Sequence, residues 1–350
     1  MIDPHVHCRD WEESHKETVA HALHVAERAG VSAIFDMPNT KPAIVSYEIV
    51  KRRLEHAKSA QSKTFYGVYI GLTYNPKQIE EAVRTFGEFS PSVVGFKMYA
   101  GHSVGNLAMP NEEDQKRTYK ILEELGYKGV LAVHCENEKF MKPELWNPQD
   151  PISHTKVRSP EVEINSVRDQ IAFASESNFS GTLHIAHISH PDSVNLVIQA
   201  RKDTSLKITC GVTPHHCLLS SDLSNNSDGL LYKVNPPLRT QESADAMLEH
   251  LRLGAIDFVE TDHAPHTLFE KMNAPYLSGF PGLPFLPFFA QFLELQGFTE
   301  QHIRKCMHER ACEIFQIDIP NLALSTDYDL AKEYEVDVYA EVRKRIREAF

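Results

Sequence analysis

Two histidines separated by a single residue stand at the start of the chain, in the run Asp3-Pro4-His5-Val6-His7. In an extended strand successive side chains alternate, so both imidazoles point to one face and make a ready metal chelate. Four later strand-like runs end in groups of similar chemistry: V-V-G-F-K-M-Y carries Lys97, L-A-V-H carries His134, L-H-I-A-H carries His187 and V-E-T-D-H carries Asp262. Each alone says little. Together, His, His, Lys, His, His and Asp from five strand ends form the constellation of a binuclear metal site. An ammonium beside two divalent cations is repelled, and its pKa falls. The neutral amine of Lys97 can then add CO₂, and the anionic carbamate can bridge both metals. His184 and His187 lie three apart, which puts them on opposite faces of a regular strand. His187, later in the run, is expected at the mouth and His184 between strand and helix layers. His215 and His216 are expected to be structural loop residues, and His102 and His154 to have no role.

Those strand ends need a scaffold that gathers them. Short β-branched runs near 1–7, 31–37, 64–71, 93–99, 129–134, 181–187, 206–211 and 256–261 alternate with helical patterns near 14–29, 46–60, 76–86, 111–125, 160–177, 191–202, 241–253 and 283–296. Eight strand–helix units predict an α/β fold, a closed (β/α)₈ TIM barrel, whose chemistry sits at the C-terminal ends of its strands. The Pro- and Gly-rich stretch 262–284, with 135–158 and 212–240, reads as functional loops. The barrel domain is expected over 1–316. A C-terminal extension, 317–350, ends in a helix with Tyr339, Val342, Ile346 and Phe350 on one face. That helix is expected to pack on the barrel.

With 36 Lys+Arg against 48 Asp+Glu, the 350 residues carry a formal charge of −12. An acidic balance without a long basic cluster argues against nucleic acid or an anionic membrane as partner. The N-terminus has no signal-peptide pattern and no run of about 18 apolar residues occurs, so a cytoplasmic protein is expected. Six cysteines without a C-x-x-C pair predict reduced thiols. The 19 histidines fit metal chemistry.

The motifs D-P-H-V-H-C-R, D-M-P-N-T-K-P at 36–42, G-F-K-M-Y-A at 95–100, V-H-C-E-N at 133–137, H-I-A-H-I-S at 184–189, V-N-P-P-L-R at 234–239 and T-D-H-A-P-H at 261–266 resemble dihydroorotase of the amidohydrolase superfamily. The resemblance runs from residue 1 to about 315 and keeps order and strand position as well as residue type. It implies two Zn²⁺ ions: His5, His7 and Asp262 on one, His134 and His187 on the other, and carboxylated Lys97 between them. It implies that Arg9, Asn39 and His266 hold a ring carboxylate, that Asn235 contacts the pyrimidine ring, and that Asp262 is the catalytic acid–base. The substrates implied are N-carbamoyl-L-aspartate and L-dihydroorotate, in de novo pyrimidine biosynthesis. Hydantoinases and allantoinases share the metal ligands and are the alternative, since only the carboxylate clamp separates them. A non-catalytic homologue partnering a carbamoyltransferase is a third reading, but such a protein would be expected to have lost ligands. The expected protein partners are a second copy in a homodimer or a carbamoyltransferase.

Three features depart from that pattern. Asp10-Trp11-Glu12-Glu13 replaces the common Pro-Gly after H-x-H-x-R, the barrel starts at residue 1, and the C-terminus offers no clear return strands. The accessory β-sandwich of many relatives is therefore expected to be absent.

Overall fold

Eight parallel strands follow one another in sequence order around the computed structural model, which describes residues 1–103, 106–322 and 330–349. They are β1 (Ile2–Val6), β2 (Ala33–Asp36), β3 (Phe65–Gly71), β4 (Val93–Tyr99), β5 (Val130–His134), β6 (Thr182–Ile185), β7 (Lys207–Val212) and β8 (Phe258–Val259). A long helix follows each strand before the next: Val19–Arg28, Tyr47–Ser59, Pro76–Phe89, Glu112–Glu124, Pro160–Glu176, Pro191–Asp203, Gln241–Arg252 and, after β8, Leu286–Leu295. The chain is a (β/α)₈ barrel.

Local chemistry sets these boundaries. Thr18, Asn75, Asn111 and Thr240 each accept a backbone N–H as helix N-caps, and Pro occupies the first helical turn at 76, 160 and 191. The first helix begins at Val19, not near 14, because residues 9–11 turn sharply and Thr18 caps the helix only after that turn.

The last strand meets the first through a short bridge, Val6 with His263, in which the His7 N–H donates to His263 O at 2.7 Å. Lower down, the buried Asp3 carboxylate closes the seam by accepting from the Thr261 N–H at 3.0 Å and the Thr261 hydroxyl at 2.5 Å. Burial pushes the Asp3 carboxyl up to about 7, against those Thr261 bonds. Because a side chain does part of the pairing, β8 is only two residues long.

Ala33, Phe35, Tyr69, Val130, Ala132 and Phe258 fill the barrel interior, and Phe315 plugs its lower end, 4.8 Å from the Phe35 ring and 6.2 Å from those of Tyr69 and Phe258. A second, larger cluster between strands and helices includes Phe96, Leu131, Leu183 and Val259. Irregular register in β1 and between β3 and β4 shifts the side-chain parity along those strands. Hence Ile2 and His5, three apart, both face inward, as do Val94 and Lys97.

The terminal helix, Ala340–Ala349, packs beside Leu286–Leu295, and the preceding Tyr339 ring stacks on Phe285 at 4.0 Å. Tyr339 and Ile346 are buried; Phe350 and residues 323–329 lie outside the described residues.

Candidate metal centre and substrate pocket

Three candidate ligands meet where β1 and β8 end. His7 Nε2 is 2.9 Å and His5 Nε2 3.5 Å from Asp262 Oδ1, all three residues being buried. His7 Nδ1 donates to Asn39 Oδ1 at 2.7 Å, so its Nε2 presents a lone pair to a carboxylate oxygen. Two acceptors at that distance need a proton or a cation between them. Burial, with Arg9 nearby, lowers the His7 pKa despite Asp262, which disfavours the proton. The donor set therefore fits a divalent cation.

A second pair lies alongside. His134 Nδ1 and His187 Nε2 are 3.2 Å apart, and the His187 ring is 4.9 Å from that of His5. His134 Nε2 donates to Glu136 Oε2 at 2.8 Å, leaving Nδ1 as a lone pair. Burial pushes the Glu136 carboxyl up, but Arg158 and His134 pull it down to about 2, so this acceptor stays ionised. Burial, then the Lys97 charge, hold His5 and His187 well below the ordinary imidazole range, as neutral ligands must be.

Lys97 stands between the two groups in the strand order, and its Nζ is buried without a hydrogen-bond partner. Burial lowers it to about 8, against the pull of Glu260 and Asp262. A fully buried lone ammonium is costly, so the surroundings of Lys97 favour a neutral, nucleophilic amine.

His5, His7, His134, His187 and Asp262 line one pocket together with Arg9, Asn39, Asn235, Ser278 and Gly279. Arg9 follows β1 in three consecutive left-handed residues, with φ of 47°, 70° and 51° for Arg9, Asp10 and Trp11. Such conformations are strained in non-glycine residues and persist only when neighbours hold them. Here the Arg53 guanidinium donates to Arg9 O at 3.1 Å and to Asp36 Oδ2 at 2.6 Å, while Arg52 and Arg53 stand over the Trp11 ring at 4.9 and 4.7 Å. The Asp10 carboxylate accepts from the Val19 and Trp11 N–H groups. This turn aims Arg9 at the loop after β8, where Nε donates to Pro265 O at 3.2 Å and Nη2 lies 3.1 Å from His266 Nε2. Gly279, at φ 122°, lets that loop pass close: a Cβ there would meet Ala264 O at 2.8 Å and His266 Nε2 at 3.4 Å. Asn235 Oδ1 accepts from His154 Nε2 at 2.9 Å.

The chain is 31% identical over 332 residues to dihydroorotase from Pyrococcus furiosus, covering 94% of this chain and 69% of that protein. The chain belongs to the dihydroorotase family. It is also 31% identical over 284 residues to dihydroorotase from Thermococcus kodakarensis, covering 81% of this chain but only 59% of that relative. No family model matches. Among solved structures, L-hydantoinase from Arthrobacter aurescens superposes with a TM-score of 0.80 at 20% identity, over 94% of this chain and 74% of that one. Dihydroorotase from Saccharomyces cerevisiae, in complex with 5-fluoroorotic acid, gives 0.71 at 16%, over 91% and 84%. These two likenesses concern the fold.

Within this member of the dihydroorotase family, His5, His7, His134, His187, Asp262, Arg9, Asn39 and Asn235 all line one cavity. Lys97 and His266 are buried beside it, Lys97 Nζ 5.1 Å from the Tyr99 ring and His266 against Arg9. Asn39 is turned toward His7, as a group that orients a ligand. His184 overturns the expectation that it faces outward: it stacks on the interior Phe258 at 4.7 Å and meets Thr209 Oγ1 at 3.0 Å. Both histidines reach the interior because β6 ends at Ile185 and His187 turns back at φ 38°, so strand parity no longer governs it. His154 is likewise not idle, since it holds Asn235. His215 and His216 belong to a short helix, Pro214–Leu218, with His216 Nε2 donating to Pro236 O at 3.2 Å.

Sequence reasoning passed over Glu136 and Glu260. Each lies two residues from a candidate ligand, His134 and Asp262, so the period-2 alternation that singled out those candidates also pointed to their carboxylate neighbours.

Proposed function

We propose that the chain is a metal-dependent dihydroorotase that interconverts N-carbamoyl-L-aspartate and L-dihydroorotate. The observation that carries this reading is Arg9, a buried guanidinium lining the same cavity as the His5–His7–Asp262 cluster. Its Nη1 makes no hydrogen bond among the described residues, and a planar cation so placed suits a substrate carboxylate. The names of the curated relatives support the same substrate.

Two Zn²⁺ ions suit the donors: His5, His7 and Asp262 would hold one, His134 and His187 the other, with carboxylated Lys97 shared. When bound, the ions supply Lewis acidity that acidifies water and polarises the scissile amide carbonyl. The chain's own groups do the rest. Arg9, assisted by His266 and Asn39, fixes the ring carboxylate, and Asn235 orients the ring. Asp262 accepts the proton of the attacking water and returns it to the leaving ring nitrogen, as general base and then general acid. Ring closure reverses these steps, consuming a carboxylate and a proton to give amide and water, so lower pH favours the ring. The partner is the small-molecule substrate. The described helices include none long and apolar enough to cross a membrane, and a cytoplasmic location fits de novo pyrimidine synthesis.

Arg9→Met tests the reading. Removing a charge-assisted hydrogen bond from a desolvated site costs several kcal/mol, so kcat/KM for dihydroorotate should fall on the order of 10²-fold or more, with a far smaller change for dihydrouracil. An equal loss on both substrates would remove Arg9 from carboxylate recognition.

A further inference from the structure

A buried carboxylate that the proposed reaction does not use lies just beneath the ligands. Glu260 is 1% exposed and sits two residues before Asp262 on the inward face. Its Oε1 accepts from the His187 backbone N–H at 2.5 Å. That amide is skipped by the strand ladder: Ala186 N–H donates to Val133 O and Ile188 N–H to Gly211 O, and the chain turns between them. The other oxygen, Oε2, is 3.3 Å from His5 Nδ1 and 3.4 Å from His184 Nε2. Room for the carboxylate comes from Gly211 on β7, where a Cβ would lie 2.4 Å from Glu260 Oε1 and 2.6 Å from its Cδ.

We infer that Glu260 is a positioning residue for the metal centre, holding His5 in the tautomer that presents Nε2 as a lone pair and fixing the turn that presents His187. This rests on the metal-dependent reading proposed above. A carboxylate only accepts and favours the proton on a ring nitrogen that faces it; His5 Nδ1, though not aligned for a hydrogen bond, lies 3.3 Å from that charge, which leaves the opposite nitrogen to ligate beside Asp262. His184 obeys the same rule, with the Thr209 hydroxyl donating to its Nδ1. A glutamine at 260 keeps shape and volume but has one acceptor. If that oxygen keeps the His187 N–H, the amide NH₂ faces His5 Nδ1 and drives the ring proton to Nε2, where it blocks ligation.

The test compares wild type, Glu260→Gln, Glu260→Ala and Glu260→Ala combined with Gly211→Glu. Zinc content is measured by elemental analysis after dialysis against graded chelator, along with the visible spectrum of the cobalt-substituted proteins and the melting of each metal-free form. Glu260→Gln should melt like the metal-free wild type yet release zinc at ~10–100-fold lower chelator, the usual scale for losing such a supporting partner, with an altered cobalt spectrum. The double variant should recover retention, because the carboxyl carbon of a glutamate at 211, two bonds beyond its Cβ, reaches the position of the Glu260 Cδ. Unchanged retention and spectrum in Glu260→Gln overturn the inference, as does a double variant that folds but recovers nothing. If Glu260→Ala does not fold, Glu260→Gln decides alone. A wild type that holds no metal instead overturns the proposed function, so the two failures are distinguishable.

Discussion

At the scale of single residues, the site gives three of its metal-ligand candidates a neighbour that biases where the ring proton sits. Asn39 turns His7, Glu136 turns His134 and Glu260 faces His5. The proposed mechanism gives Asp262 the two roles of ligand and proton carrier, so Asp262→Asn should lower kcat at least ~10²-fold while leaving the circular dichroism spectrum intact. Near-wild-type turnover in that variant would remove Asp262 from the mechanism. Lys97 makes a separate prediction. Lys97→Ala deletes the amine that would carry the bridging carbamate, so metal content and activity should fall together and short carboxylic acids should restore part of both. An unchanged zinc count and rate would refute the carbamate.

At the scale of elements, the first strand's exit and the C-terminal segment are tied together. Glu17, between them, accepts from His263 at 2.8 Å, from His21 at 3.0 Å and from the Tyr334 hydroxyl at 2.6 Å, while His21 also reaches Glu333 at 2.9 Å. The hydrogen bond to Glu17, against burial and with help from Glu333, raises His21 to about 9 from its ordinary 6.5. A folded-state pKa above the unfolded one gives stability that is complete below pH 6.5 and lost as the pH rises through about 9. Thermal melts should therefore fall by a few degrees between pH 6.5 and 9, an effect on the order of 2 kcal/mol for a side chain 29% exposed. His21→Gln should flatten that slope; a slope unchanged in the variant would show that His21 does not set it.

At the scale of the whole molecule, the barrel was legible because eight β-branched runs alternate with helical patterns and Thr, Asn and Pro mark where helices begin. Lys97 and Asp262 could be picked out for the same reason, since each sits at a strand end. What the pattern did not reveal depends on departures from regular strands. The side of His184 was misjudged because β6 stops two residues before His187. The shortness of β8 arises from Asp3 pairing by its side chain, and the strained Arg9–Trp11 turn depends on Arg53, more than forty residues away. The central claim joins this scaffold to one substrate, and the ultraviolet-followed hydrolysis of dihydroorotate, dihydrouracil and hydantoin by the zinc-loaded protein tests it most directly. A kcat/KM for dihydroorotate on the order of 10²-fold or more above both others is the predicted result; faster turnover of hydantoin or dihydrouracil would contradict it.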